Sequence, residues 1–161
     1  MRHTISVLVI NEFGVLSRIS GLFSGRGFNI ESLTVAETLD PAISRMTIVT
    51  TGDEAILEQI TKQLNKLVSV IKVHDFKGEP HIERELLLIK ITANAETRAE
   101  VLRIVDIFRA KVVDVSPRAY TIELTGDEEK VEAFKDLLRP FGIKEIVSTG
   151  RIAMPRTPKH K

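Results

Sequence analysis

Apolar positions along the chain change period repeatedly, and each change marks an element. Thr4 to Ile10 is rich in β-branched residues and reads as a strand. Val15, Leu16, Ile19, Leu22 and Phe23 then recur at the spacing of one helical face. Arg26-Gly27 ends that helix, since glycine readily takes the left-handed conformation favoured past a C-terminus. Asn29 to Leu39 and Ser44 to Thr51 read as strands around a turn at Asp40-Pro41. A helix after Gly52 runs to about Lys66, and Val68 to Phe76 closes the stretch as a strand. The order is βαββαβ.

The same order returns downstream. Glu85 to Thr92 is a strand carrying the apolar run Leu86-Leu87-Leu88-Ile89, and Asn94 suits a helix cap. Val101, Leu102, Val105 and Phe108 make a helical face. Lys111 to Ser116 and Ala119 to Thr125 are strands around Pro117-Arg118. A helix after Gly126 stops near Arg139, where Pro140 and Gly142 follow, and Ile143 to Ile152 is the last strand. The repeat is visible in the residues themselves. Thr47-Ile48-Val49-Thr50-Thr51-Gly52-Asp53-Glu54 returns as Thr121-Ile122-Glu123-Leu124-Thr125-Gly126-Asp127-Glu128. Leu57, Ile60, Leu64 and Leu67 hold the same relative places as Val131, Phe134, Leu138 and Phe141.

The expectation is an α+β fold of two tandem ferredoxin-like βαββαβ domains, each an antiparallel sheet with two helices on one face. Residues 1–77 form the first domain, 78–84 a linker, 85–152 the second domain and 153–161 a basic tail. Arg151, Arg156, Lys159 and Lys161 make that end basic, and it reads as solvated chain or, second, as a docking tail. Open sheet faces and edge strands favour an oligomer over a monomer.

Composition removes several function classes. With 23 basic and 22 acidic residues there is no electrostatic footprint for nucleic acid or an anionic membrane. An RNA-binding βαββαβ domain also needs aromatics on its open face, and the chain has one Tyr and no Trp. Without cysteine there is no disulfide, zinc thiolate or thiol nucleophile. His3, His74, His81 and His160 lack metal-ligand spacing, and Ser17, Ser20 and Ser24 have no matching base. Ser24-Gly25-Arg26-Gly27 is too short and misplaced for a phosphate loop. An acylphosphatase-type hydrolase would need an arginine-bearing phosphate loop after the first strand, and Asn11 to Leu16 holds none. No apolar run approaches the ~18 residues of a membrane span. The N-terminus has no signal-peptide pattern, so a cytoplasmic protein is expected.

The halves differ at the first strand-to-helix junction. The first has Asn11-Glu12-Phe13-Gly14-Val15-Leu16, and the second has Thr92-Ala93-Asn94-Ala95-Glu96 with no glycine. A helix starting near Gly14 offers free N–H groups and the positive end of its dipole, and glycine admits a ligand close to that backbone. A carboxylate fits there. Asn11 is either a plain helix cap or a ligand group for the ammonium and carboxylate of a free amino acid. The neighbours Val9, Val15, Leu16, Ile30 and Val35 are aliphatic and suit a small branched side chain.

Asn11-x-x-Gly14-x-Leu16-x-x-Ile19-x-x-x-Phe23, followed by Asn29-Ile30, resembles the ACT domain, an amino-acid-binding regulatory module. ACT domains often have Asp-x-Pro-Gly at this junction. Here Asn stands first and Phe13 precedes the glycine. Arg26 to Ala36 (Arg-Gly-Phe-Asn-Ile-Glu-Ser-Leu-Thr-Val-Ala) and Ser44-Arg45-Met46-Thr47-Ile48 are similar to the acetolactate (acetohydroxyacid) synthase small regulatory subunit family in particular. Glu83-Arg84-Glu85-Leu86, Ile107-Phe108-Arg109 and Val113-Asp114-Val115 extend the resemblance into the second half, an ACT-like domain.

The resemblance implies a non-catalytic subunit with no cofactor of its own. Its partner would be the large catalytic subunit, carrying thiamine diphosphate, Mg and FAD. The chain would activate that subunit and confer feedback inhibition by valine or another branched-chain amino acid. It also implies a homodimer or higher oligomer with the effector at the ACT–ACT interface. Asn11, Gly14, Val15 and Leu16 would come from one protomer, and Asn29, Ile30 and Val35 would line the site from the partner or the interface. Ala36 and Gln59 would lie in regions linked to feedback resistance. A stand-alone ACT sensor serving a different enzyme is the alternative.

Overall fold

Alternation in the strands and the 3.6-residue stripe in the helices decide which faces meet. In the computed structural model, which describes residues 1–158, the chain divides into two units. One is Met1–Ile82 with the segment from Arg151 onward, and the other is Glu83–Gly150. The first runs β1 (Arg2–Ile10), α1 (Val15–Gly25), β2 (Ile30–Glu37), β3 (Ile43–Thr51), α2 (Glu54–Asn65) and β4 (Val70–Asp75). Its antiparallel sheet has the order β2-β3-β1-β4. Ile5 sits opposite Ile48 and Val7 opposite Met46, so the apolar residues of β1 and β3 share one side. On that side they meet Val15, Ile19 and Phe23 of α1 and Leu57, Ile60 and Leu64 of α2.

The second unit runs β5 (His81–Thr92), α3 (Arg98–Ile107), β6 (Lys111–Val115), β7 (Ala119–Gly126), α4 (Glu128–Leu138) and β8 (Ile143–Ser148). Its sheet order, β6-β7-β5-β8, repeats the first. The expected tandem ferredoxin-like arrangement is therefore the observed one. The core joins Leu87, Ile89 and Ile91 of β5 to Val101, Ile104 and Val105 of α3 and to Val131, Phe134 and Leu138 of α4. Leu102, expected on the buried face of α3, is exposed, and Ile104 takes its place. The stripe is Val101, Ile104, Val105 and Phe108, the i, i+3, i+4, i+7 series of one helical face.

The repeated Thr-Gly-Asp-Glu has a local cause. The Asp53 side chain accepts the Ile56 N–H, and that of Asp127 accepts the Lys130 N–H, each at 2.9 Å. Both aspartates are N-caps with extended backbone. A Cβ on Gly52 would stand 2.9 Å from Ile56 Cγ2, so that glycine also makes room for the first helical turn. Asp53→Ala and Asp127→Ala should each cost about 1 kcal/mol of stability, the usual loss of a cap. Urea unfolding of the two variants measures it.

The largest departure from expectation lies after Ser148. Ile143–Ile152 was expected as one strand with a solvated tail from residue 153. Instead the Gly150 N–H donates to the Ser148 hydroxyl at 2.9 Å, and a new strand, β9, spans Ile152–Pro155. This segment belongs to the first unit. The Arg151 N–H donates to Ser32 Oγ at 3.0 Å, and the Arg156 N–H to the Pro80 carbonyl at 3.1 Å. Arg151 is only 8% exposed and Ala153 is buried. Of the run Ile152-Ala153-Met154-Pro155 only Ala153 is buried, so backbone pairing and the hydrogen bonds at Arg151 and Arg156 place the segment more than apolar burial does. Lys159, His160 and Lys161 lie outside the described residues. Among the described residues no helix is long and apolar enough to cross a membrane.

Candidate functional site

The junction between β1 and α1 is built from the end of the first strand. The Asn11 N–H donates to the Ala42 carbonyl at 2.8 Å. Its side-chain amide donates to Glu37 Oε1 at 3.2 Å and to the Pro41 carbonyl at 3.0 Å. These bonds hold Asn11 against the β2–β3 hairpin and away from the helix start. Asn11 is therefore not the cap of α1, which has no side-chain cap at all. Among the described residues no donor reaches Asn11 Oδ1. Glu12 accepts from Ser69 Oγ at 2.7 Å, and Arg18 donates to the same hydroxyl at 3.2 Å, tying the loop to the approach to β4. Phe13 is fully exposed.

Gly14 is the N-cap residue, at φ 83° and ψ −5°. This left-handed geometry costs most L-residues ~1–2 kcal/mol and costs glycine nothing. Nothing lies within 4 Å of where its Cβ would be, so the approach to the backbone is clear. The first turn of α1 has no acidic residue. Its N–H groups lack both a side-chain partner and a compensating charge, which is the arrangement that attracts an anion. Two of the other helix starts, those of α2 and α4, are closed by side-chain caps. Asp53 and Asp127 cap α2 and α4, and Asn94 Oδ1 accepts the Glu96 and Thr97 N–H groups at 2.9 and 3.0 Å on the approach to α3. At the matching junction of the second copy Asn94 binds N–H groups just ahead of α3; the N-cap Thr97 makes no side-chain cap there either, but the first turn carries Glu100, whereas that of α1 has no acidic residue.

The aliphatic candidates separate into two groups. Val15 is buried in the core beside Ile19 and Phe23, so it can offer a ligand only its backbone N–H. Its expected side-chain role is corrected accordingly, and Val9, equally buried, is no lining residue either. Leu16 and Val35 remain 46% and 41% exposed and are free to contact an apolar group. Ile30 is half-buried against the core. Asn29 has an exposed side chain, and its carbonyl accepts from Thr50 Oγ1 at 2.7 Å. Ala36 and Gln59 are both exposed.

Within one chain these residues do not form one pocket. Ile30 pairs with Thr50, which in turn lies opposite His3 near the start of β1. Glu37, the partner of Asn11, pairs with Ser44 near the end of β1. The whole of β2 separates the two groups, roughly 23 Å at ~3.3 Å per residue. Sequence reasoning missed Glu37, Pro41 and Ser69. The Asp40-Pro41 turn hinted at the second. The other two reach the junction across 26 and 57 residues, and no local pattern signals that.

Comparison with known proteins bears on both halves. A family profile described as the AHAS small subunit-like ACT domain matches residues 5–72. Another, described as the small subunit of acetolactate synthase, matches residues 84–157, a span that takes in β9. The acetolactate synthase small subunit of Aquifex aeolicus is 56% identical over 96% of this chain and 81% of its own length. The probable acetolactate synthase small subunit of Archaeoglobus fulgidus is 55% identical over 99% of both chains. The crystal structure of the acetolactate synthase small subunit from Thermotoga maritima matches with a TM-score of 0.88 at 43% identity, over 99% of each chain. Both sequence and fold agree along nearly the entire length, and the chain belongs to the acetolactate synthase small subunit family.

Proposed function

We propose that this chain is the non-catalytic regulatory subunit of an acetolactate synthase. It activates a catalytic subunit that carries thiamine diphosphate, Mg and FAD, and it confers feedback inhibition by valine or another branched-chain amino acid. The observation that carries the reading is the uncapped start of α1 behind Gly14, in the half that matches the ACT profile. The effector carboxylate would lie on the Val15 and Leu16 N–H groups. Its ammonium would reach Asn11 Oδ1, and its side chain would rest on Leu16 and Val35.

The distance between the two residue groups supports a shared site. β2 is the edge strand of its sheet. Two copies pairing antiparallel through β2, with the two-fold axis between Leu33 and Thr34, set Ile30 of the partner subunit opposite Glu37. Asn29 of the partner subunit then stands beside Asn11. Such a site exists only in the dimer, and an effector bound there favours one dimer geometry. It shifts the holoenzyme by its difference in affinity for the two states, and about 1–3 kcal/mol of coupling suffices for clear inhibition.

Reconstitution with the catalytic subunit, assayed with and without valine, leucine and isoleucine, is the direct test. Activation followed by inhibition with at least one of the three is expected. Amino-acid binding without any effect on a synthase would favour the stand-alone sensor. Asn29→His should raise the half-inhibitory concentration at least about tenfold, as loss of a hydrogen bond to a charged group does. Activation should persist, because Asn29 contributes to the fold through its carbonyl and not its side chain. Equal loss of activation would make Asn29 structural.

A further inference from the structure

We propose that the sheet of the first unit binds a compact oxyanion, phosphate in its simplest form, on the face opposite its helices. The site is a cavity of about 160 Å³ over Leu8, and Ser6, Arg45, Lys72, His74 and Pro155 contribute to its lining. Strand register builds it. Leu8 on β1 pairs with Arg45 on β3 and with Lys72 on β4. Side chains at paired positions project to the same face, so the two cations rise on either side of Leu8. Their Cα atoms are about 10 Å apart across three strands, a span from which both heads reach a small anion held between them.

The charges at this place are unanswered. Arg45 donates to Ser6 Oγ at 3.0 Å, and its other N–H groups are unused. Among the described residues no carboxylate pairs with Arg45 or Lys72. His74 differs, since its Nε2 stands 2.8 Å from Glu79. The Ser6 hydroxyl is buried, and Pro155 and Phe76 border the cavity with apolar surface. That surface lowers the local dielectric and strengthens each charge. Among the described residues no acidic side chain lines the cavity. Two cations without a carboxylate partner among the described residues, a hydroxyl and a partly apolar wall suit a tetrahedral dianion better than a single carboxylate. The site is separate from the junction at Gly14, which lies on the helix-bearing side.

Calorimetric titration of the full chain with inorganic phosphate at constant ionic strength tests this, with acetate as the second arm. Saturable binding of one phosphate per chain is expected, with acetate weaker. Arg45→Gln and Lys72→Gln should each weaken phosphate about tenfold or more. Lys66→Gln, at the exposed end of α2, should change nothing. Absence of saturable heat overturns the proposal. So does unaltered affinity in the Arg45→Gln/Lys72→Gln double variant, or equal weakening by Lys66→Gln, which would mark a general charge effect. Should Arg45→Gln fold poorly by circular dichroism, Lys72→Gln decides alone, because Lys72 is exposed and has no ion-pair partner among the described residues.

Discussion

Gly14→Asp is expected to remove amino-acid binding at the proposed site while leaving the chain folded. Aspartate is one of the few residues that tolerates the left-handed backbone, and no neighbour lies within 4 Å of its Cβ. The new carboxylate lacks the extended backbone of the Asp53 and Asp127 caps but sits at the positive end of α1, which offsets about 0.3–1 kcal/mol of a strain of about 1–2 kcal/mol. Stability therefore changes little. Binding should change greatly, because the carboxylate stands beside the N–H groups and the dipole that the proposed effector would use. Two like charges about 4 Å apart at a protein surface repel by about 4 kcal/mol, close to a thousandfold in affinity. Gly14→Ala has the strain without the charge and should weaken binding far less. Undiminished valine binding to Gly14→Asp, measured by calorimetry, would sink the site.

Phe134→Ala should cost the second unit about 3–5 kcal/mol. The ring is fully buried, and its centroid lies 5.2 Å from that of Phe108 at a tilt of 60°. Removing it deletes the aromatic pair and opens a cavity between α3, α4 and the sheet, which the surroundings close only in part. A unit this small has little stability in reserve, so partial unfolding at ordinary temperatures is expected. Ile60→Ala, at the matching place in the first unit, should cost about 2–5 kcal/mol. Denaturant unfolding reads both. A midpoint unchanged in Phe134→Ala would mean that the helix face is misassigned.

The two βαββαβ units were legible because burial writes itself into period. Ile5, Val7 and Val9 alternate, and Leu57, Ile60 and Leu64 recur by helical turns. The repeated Thr-Gly-Asp-Glu was legible because a cap and a close approach are local requirements. The choice between Leu102 and Ile104 is not legible, because both are apolar and the sequence pattern alone leaves the start of α3 open. At the candidate site Gly14 stood out, since a left-handed residue at a helix start leaves its mark on residue type. The orientation of Asn11 did not. It depends on Glu37 and Pro41, and which way a short amide turns is settled by groups distant in sequence. The end of the chain is not legible because its placement rests on backbone bonds to Ser32 and Pro80, far away in sequence, and not on a buried apolar stripe.

The return of residues 151–158 to the first unit also bears on how the chain is made. Residues 83–150 must be synthesised before Arg151 can reach Ser32. At ~5–20 residues per second that interval is on the order of 3–15 s. During it the first sheet has its helices in place, but the Ser32 hydroxyl and the Pro80 carbonyl still lack the N–H donors of Arg151 and Arg156. The nascent first unit is thus a ribosome-bound intermediate with one face bare, and its maturation waits on translation of the unit that follows.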